Sequence, residues 1–238
     1  MKRFNFRLSP SFMSDIIWRQ IFENIEREFQ GARGHIEDIL AACDSTRTGM
    51  AYNTGSISLA SAFSLYGLVR FVRPSTIFEI GTFIGRSTLS MAAAMDVSGD
   101  GGHIYTCDGS NDALLPPGKV KCPITTYPRT MSHDALQRFT QEGRQIDMLH
   151  IDGRIASADL DIITKHSNPR VVVALDDFEG NEKGVANLAL MRTNPFFRRH
   201  ALVYPAPDAL MARLGSGILV PSLTAVLIPF ESIIISAQ

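Results

Sequence analysis

Apolar positions return in two rhythms along this chain. From Ser14 to Gln30, the residues Ile16, Ile17, Ile21, Phe22, Ile25 and Phe29 recur at helical spacing, and Gly31 and Gly34 stand where that helix would end. Ile36, Ile39 and Leu40 predict a second, short helix. Ile57 to Val72 is apolar on nearly every side, so the helix predicted there is a buried one, opened by the turn and cap Asn53-Thr54-Gly55-Ser56 and closed before Pro74. A different pattern follows. Short β-branched and aromatic runs predict strands at Thr76–Ile80, His103–Cys107, Gln145–Ile151, Arg170–Leu175, His200–Tyr204, Leu219–Ile228 and Ser232–Ser236. Helical segments lie between most of them: one capped by Ser87 and Thr88, then Ser132–Phe139, Ser157–His166 and Glu182–Arg192.

Strand–helix alternation of this kind predicts an α/β fold, a doubly wound, mostly parallel sheet of seven strands. The Arg170–Leu175 run, near-continuously apolar, belongs at its centre. The last two strands would close it as an antiparallel hairpin. Residues 1–13, with Phe4, Phe6 and Phe12 in no clear period, read as an arm or lid. The chain is thus expected to divide into an N-terminal arm and helical cover, residues 1–52, and one domain over residues 53–238. The Pro- and Gly-rich stretch Asn111–Pro128 reads as a long irregular loop, a class of segment that commonly carries function.

Composition narrows the picture. A chain of 238 residues is long enough for one sizeable α/β domain and short for two. A formal net charge of -1 gives no field to recruit nucleic acid or an anionic membrane. Cys43, Cys107 and Cys122 are odd in number and far apart, with no metal spacing and no disulfide framework, which fits a reducing cytoplasm. No apolar signal core follows the N-terminal Met-Lys-Arg, and no apolar run has the length of a membrane span.

Candidate chemistry starts at Glu79-Ile80-Gly81-Thr82-Phe83-Ile84-Gly85-Arg86-Ser87. A strand feeding a helix through glycines is the ligand-binding corner of doubly wound folds. The loop is G-x-x-x-G, not the G-x-G-x-x-G that holds a pyrophosphate, and Glu79 would repel a phosphate. A cationic, phosphate-free ligand suits it better. This E-x-G-x-x-x-G corner resembles motif I of the class I S-adenosylmethionine-dependent methyltransferases, whose Rossmann-like fold has the architecture expected here. The resemblance implies S-adenosyl-L-methionine as cofactor, held by Glu79, Gly81, Gly85 and Ser87. Asp108, about twenty residues past the loop, is placed to accept ribose hydroxyls, as in nucleoside-binding folds. Ser132 and His133 match a turn that lines the adenine in catechol-type enzymes of this class.

Acids close strand after strand: Glu79, Asp108, Asp152, then Asp176 with Asp177. Strand ends of a parallel sheet share one edge, so these carboxylates are expected to converge. Asp152, Asp176 and Asp177 together would repel unless a cation neutralises them, and hard oxygen ligands in this number suit Mg²⁺ or another divalent ion. I-D-G after one strand and D-D after the next resembles the metal-dependent O-methyltransferases, with D-D closer to the macrocin and novobiocin sugar type than to the catechol and caffeoyl-CoA type. That resemblance implies a small-molecule hydroxylated acceptor, with Asp152 and Arg154 beside the reacting oxygen. Arg154 is a departure: the sugar branch often carries an Asp there as general base, and a guanidinium does not give up its proton readily. His150 is an alternative base. Rival readings remain: a metal-independent methyltransferase, a hydroxylase-like relative, or a cofactor-binding protein without turnover. A homodimer is compatible with the sequence. Acids that point apart and pair with Arg154 or Lys183 would leave the metal without support.

Overall fold

Alternation along the strands decides which side chain goes to which face. Ile77, Ile104, Met148, Val172 and Val226 face one apolar cluster, and their neighbours Phe78, Tyr105, Leu149, Val173 and Leu227 face the other. A sheet with two apolar faces needs a helical layer on each. The computed structural model describes residues 10–23, 26–47, 56–110, 114–213 and 221–232. Its elements are α1 (Pro10–Glu23), α2 (Glu26–Ser45), α3 (Leu59–Val72), β1 (Thr76–Ile80), α4 (Arg86–Ser98), β2 (His103–Asp108), β3 (Ile124–Pro128) and α5 (Ser132–Thr140). Then come β4 (Ile146–Ile151), α6 (Ser157–His166), β5 (Ser167–Leu175), α7 (Lys183–Thr193), β6 (His200–Val203), α8 (Asp208–Arg213) and β7 (Ala225–Pro229). Helices α1 to α4 pack on the first face, and α5, α6 and α7 on the second.

The described strands form one seven-stranded sheet in the order β3-β2-β1-β4-β5-β7-β6. Strands β1 to β5 are parallel, and β7 runs antiparallel to both β5 and β6. The doubly wound architecture with an antiparallel C-terminal pair is therefore present. Strand order reverses between β1 and β4, the place where such sheets open a crevice at their carboxyl edge. Register then sets the site: Ile80 lies beside Cys107 and Ile151, and Ile151 beside Leu175. The residues after these partners, Gly81, Asp108, Asp152 and Asp176, fall side by side.

Several expectations change. Helix α2 runs straight through Gly31 and Gly34. Neither glycine has a neighbour that opposes it, a helical glycine costs only about 1 kcal/mol relative to alanine, and buried Ile36, Ile39 and Cys43 anchor the segment. Helix α3 is capped by Ser58, whose hydroxyl accepts the Ser61 N–H at 3.0 Å. Helix α4 is capped by the left-handed Gly85, and Ser87 and Thr88 turn inward instead. Strand β3 lies within the stretch read as an irregular loop. Ile124 to Tyr127 is β-branched and aromatic, and the prolines at its ends are tolerated because β3 is an edge strand, bonded on one side. The predicted Leu219–Ile228 strand shrinks to β7. Phe4, Phe6, Asn53 to Gly55, Asn111 and most of the predicted Ser232–Ser236 strand lie outside the described residues.

The N-terminal helices are fastened to the rest. The Trp18 indole N–H donates to the Tyr204 carbonyl at 2.6 Å, just beyond β6. Arg70 of α3 donates from Nη2 to Glu28 Oε2 of α2 at 2.6 Å and from Nη1 to Ser98 of α4 at 2.5 Å, tying three helices together.

Candidate active site

Glu79, the penultimate residue of β1, has its side chain wholly buried. Four donors converge on it. Ser87 Oγ reaches Oε1 at 2.6 Å, Thr106 Oγ1 reaches Oε2 at 2.7 Å, Thr88 bonds Oε2, and His150 Nδ1 lies 3.0 Å from Oε1. Glu79 and Ser87, expected at the cofactor, cross-link β1, β2, β4 and α4 beneath the glycine loop. The four partners compensate a carboxylate that burial would otherwise penalise. Burial also opposes a charge on His150. The hydrogen bond and charge of Glu79, with Asp176 and Asp152 beyond, nevertheless hold its pKa above the ordinary imidazole value. His150 Nε2 has no hydrogen-bond partner among the described residues.

The loop above is shaped by its neighbours. Gly81 has φ +107°, and a Cβ there would sit 2.9 Å from the Asp152 carbonyl oxygen, so glycine is what lets β1 and β4 end shoulder to shoulder. At Gly85, with φ +81°, a Cβ would collide with the Leu115 side chain. The Asp108 carboxylate steadies the loop: Oδ2 accepts the Phe83 N–H and Oδ1 the Ser110 N–H, both at 2.7 Å. A carboxylate offers about four acceptor positions, so both oxygens retain capacity for a ligand's hydroxyls. Gly81, Gly85 and Asp108 therefore meet at one corner. Ser132 and His133 sit at the start of α5 and reach across to α6, where Ser132 Oγ donates to Asp159 Oδ2 at 2.8 Å and His133 Nδ1 lies 3.2 Å from Oδ1.

The acids after β4 and β5 do converge. Asp152, Asp176 and Asp177 each offer an oxygen within 4.8 Å of the others. Thr224 Oγ1 donates to Asp176 Oδ1 at 2.8 Å, and Asp177 holds a left-handed φ of +50°, a conformation that Asp tolerates better than most residues. Burial, reinforced by the charge of Asp176, pushes the Asp152 pKa up to about 7 against the pull of Lys183 and His150. Asp176 is raised in the same sense by burial, against His150 and Thr224.

Lys183 is the residue that the strand-end pattern did not place. Its Nζ lies 2.6 Å from Asp152 Oδ1, 2.9 Å from the Asp152 carbonyl oxygen and 2.8 Å from Asp177 Oδ2. Gly184 makes this possible, because a Cβ there would stand 2.3 Å from the Asp176 carbonyl oxygen. With glycine, α7 starts hard against the D-D turn and delivers its first residue into the acids. Burial works against the ammonium, but Asp152 and Asp177 hold its pKa above the usual lysine value. Arg154 stays exposed, and no described ion pair links it to the three acids. The acids neither point apart nor stand alone.

One cavity, of about 240 Å³, lies elsewhere, among Pro169, Phe196, His200 and Pro229 at the opposite edge of the sheet. Arg199 and Glu231 also line that cavity, away from the strand-end acids. No described helix is long and apolar enough to cross a membrane.

The chain matches a family model described as a methyltransferase domain over residues 78–178, from within β1 to just past the D-D pair. No curated protein matches it in sequence. Among solved structures, it is similar to the O-methyltransferase from Bacillus cereus in complex with S-adenosylhomocysteine (SAH), at 17% identity and TM-score 0.52, covering 82% of this chain and 89% of that one. It is also similar to the O-methyltransferase TomG from Streptomyces achromogenes, involved in tomaymycin synthesis and solved with S-adenosylmethionine, at 16% identity and TM-score 0.56, covering 80% and 89%. Cofactor-bound Rv0187 from MTB aligns at 15% identity and TM-score 0.56, covering 82% and 89%. The family-model match begins in β1 at the glycine corner and ends just past the paired acids, so this chain carries the methyltransferase-domain pattern there and shares the fold of these O-methyltransferase structures.

Proposed function

We propose that the protein transfers a methyl group from S-adenosylmethionine to a hydroxyl of a small molecule, with a divalent cation at Asp152, Asp176 and Asp177. The observation that carries this reading is the convergence of those three carboxylates beside the Gly81 corner. The donor set fits: three hard oxygens within reach of one ion, at the edge where a bound cofactor would present its methyl. Such an ion supplies Lewis-acid polarisation of a bound hydroxyl, which lowers the hydroxyl's pKa. The chain's own residues do the rest. Gly81, Gly85 and Asp108 position the cofactor, and Glu79 with its four donors keeps the loop in shape. Leu114 and Leu115, lying against that loop, wall the acceptor side. Methyl transfer is an in-line displacement from a sulfonium, so holding donor and acceptor in line is most of what the protein must do. The relatives solved with S-adenosylmethionine or its product support the cofactor, and those described as O-methyltransferases support oxygen as the acceptor atom.

The test is mass spectrometry of hydroxylated acceptors incubated with S-adenosylmethionine and Mg²⁺, with and without excess EDTA. A methylated product that disappears in EDTA, while SAH binding survives, is the expected result. Full turnover in EDTA would remove the cation from the reading, and methylation at nitrogen or carbon alone would remove the hydroxyl.

A further inference from the structure

Three carboxylates converge at the strand ends, yet two of them already hold a positive charge. The Lys183 ammonium touches Asp152 Oδ1 at 2.6 Å and Asp177 Oδ2 at 2.8 Å, and it donates a further bond to the Asp152 carbonyl at 2.9 Å. An ammonium has three N–H donors, so all three are directed at these two residues. The arrangement is built in: Gly184 admits the start of α7 against the Asp176 carbonyl, and Asp177, six residues before Lys183, holds a left-handed turn. A divalent ion bound to the same oxygens of Asp152 and Asp177 cannot coexist with Nζ where it stands. Its ligand oxygens would need to lie about 2.0–2.6 Å from the ion, inside the space that the ammonium fills.

We propose that Lys183 is a tethered competitor for the cation site, an ammonium that keeps the acids paired when no ion is bound and must swing away to admit one. This rests on reading Asp152, Asp176 and Asp177 as a cation site. The tether does two things. It removes the mutual repulsion that would spread three crowded carboxylates, so the site stays assembled while empty. It also weakens every divalent ion's binding, because each must displace a charge held by three hydrogen bonds. Asp176 is the exception within the set, held by Thr224 and not by Lys183. The lysine stem, four methylenes long and a quarter exposed, leaves the ammonium a route outward.

Mn²⁺ binding, followed by electron paramagnetic resonance of the free ion, tests this on the wild type, Lys183→Met and Lys183→Gln. SAH binding by calorimetry on each protein reports that the fold is intact. Both variants should bind Mn²⁺ at least tenfold more tightly than the wild type, with SAH affinity changed less than threefold. Mn²⁺ should also raise their thermal midpoints more than the wild type's, since without ion they lack any cation among the acids. Equal or weaker Mn²⁺ binding by variants that still bind SAH overturns the competitor role and leaves the cation site standing. No Mn²⁺ bound by any of the three, with SAH binding retained, overturns the cation site as well. Should Lys183→Met fail to bind SAH, the polar Lys183→Gln, which can still donate to the Asp152 carbonyl, decides the matter by the same criteria.

Discussion

At the scale of single residues, the site shows side chains serving two masters. Asp108 braces the glycine loop through the Phe83 and Ser110 amides and still faces the corner where a ribose would lie. Asp108→Ala should therefore weaken S-adenosylmethionine binding about ten- to a hundred-fold, the range for losing one hydrogen bond to a charged acceptor, worth about 1.5–3 kcal/mol. Calorimetry on wild type and variant checks it, and equal affinities would take Asp108 out of the site. Strand-end acids were legible in the sequence because parallel register fixes where a residue after each strand must fall. Asp152 and Asp176 could be set side by side from the alternation pattern alone. Lys183 was not legible in that way. Its position depends on how closely α7 approaches the preceding turn, which Gly184 decides and no spacing rule conveys. The same holds for Glu79: the motif marks it, but its partners Thr88, Thr106 and His150 come from three elements and meet only in the folded sheet.

At the scale of elements, most strands and helices from α3 onward follow their periodic patterns, while α2 and β3 depart from theirs. The buried α3 announced itself by being apolar all round. Strand β3 did not, because the four residues between Pro123 and Pro128 carry too little pattern to outweigh the loop-like composition around them. The segment ahead of β3 is fastened to the glycine loop: the Leu114 N–H donates to the Phe83 carbonyl at 2.8 Å, and the Leu115 side chain fills the space above Gly85. Half of Leu114 remains exposed. An aspartate at position 114 keeps that backbone bond and removes the apolar surface. Leu114→Asp should thus raise KM for the acceptor several-fold and leave SAH affinity within about twofold, less than 0.5 kcal/mol. Initial-rate kinetics beside calorimetry distinguish the two, and the reverse ranking would place this segment on the cofactor and not on the acceptor.

At the scale of the whole molecule, the buried acids make stability depend on pH. The folded pKa of Asp152, about 7, lies above its unfolded value of about 4. A group raised in this way gives its full stabilisation below the unfolded pKa and loses it as pH climbs through the folded one. His150 is also raised, so its contribution fades in the same direction. Without divalent ion, the thermal midpoint should fall between pH 5 and pH 8, and Asp152→Asn should flatten that fall. A midpoint that stays level in the wild type, or an unchanged slope in the variant, would contradict the assignment.

Strand β7 is the last strand described along the chain, yet it lies inside the sheet, wedged between β5 and β6. On a ribosome this order matters. Until Ala225–Pro229 emerges, β5 has no partner on that side, and its backbone edge from Val173 to Leu175 stays open. The Trp18 indole waits in a similar way for the Tyr204 carbonyl, 186 residues downstream. At about 5–20 residues per second, that wait is roughly 10 to 40 seconds. From the synthesis of β5 until β7 emerges, the nascent chain presents an unpaired strand that ends at Asp176 and Asp177. Such an edge invites pairing with a second chain, so crowded polysomes and slow codons late in the message become the natural hazards for this protein.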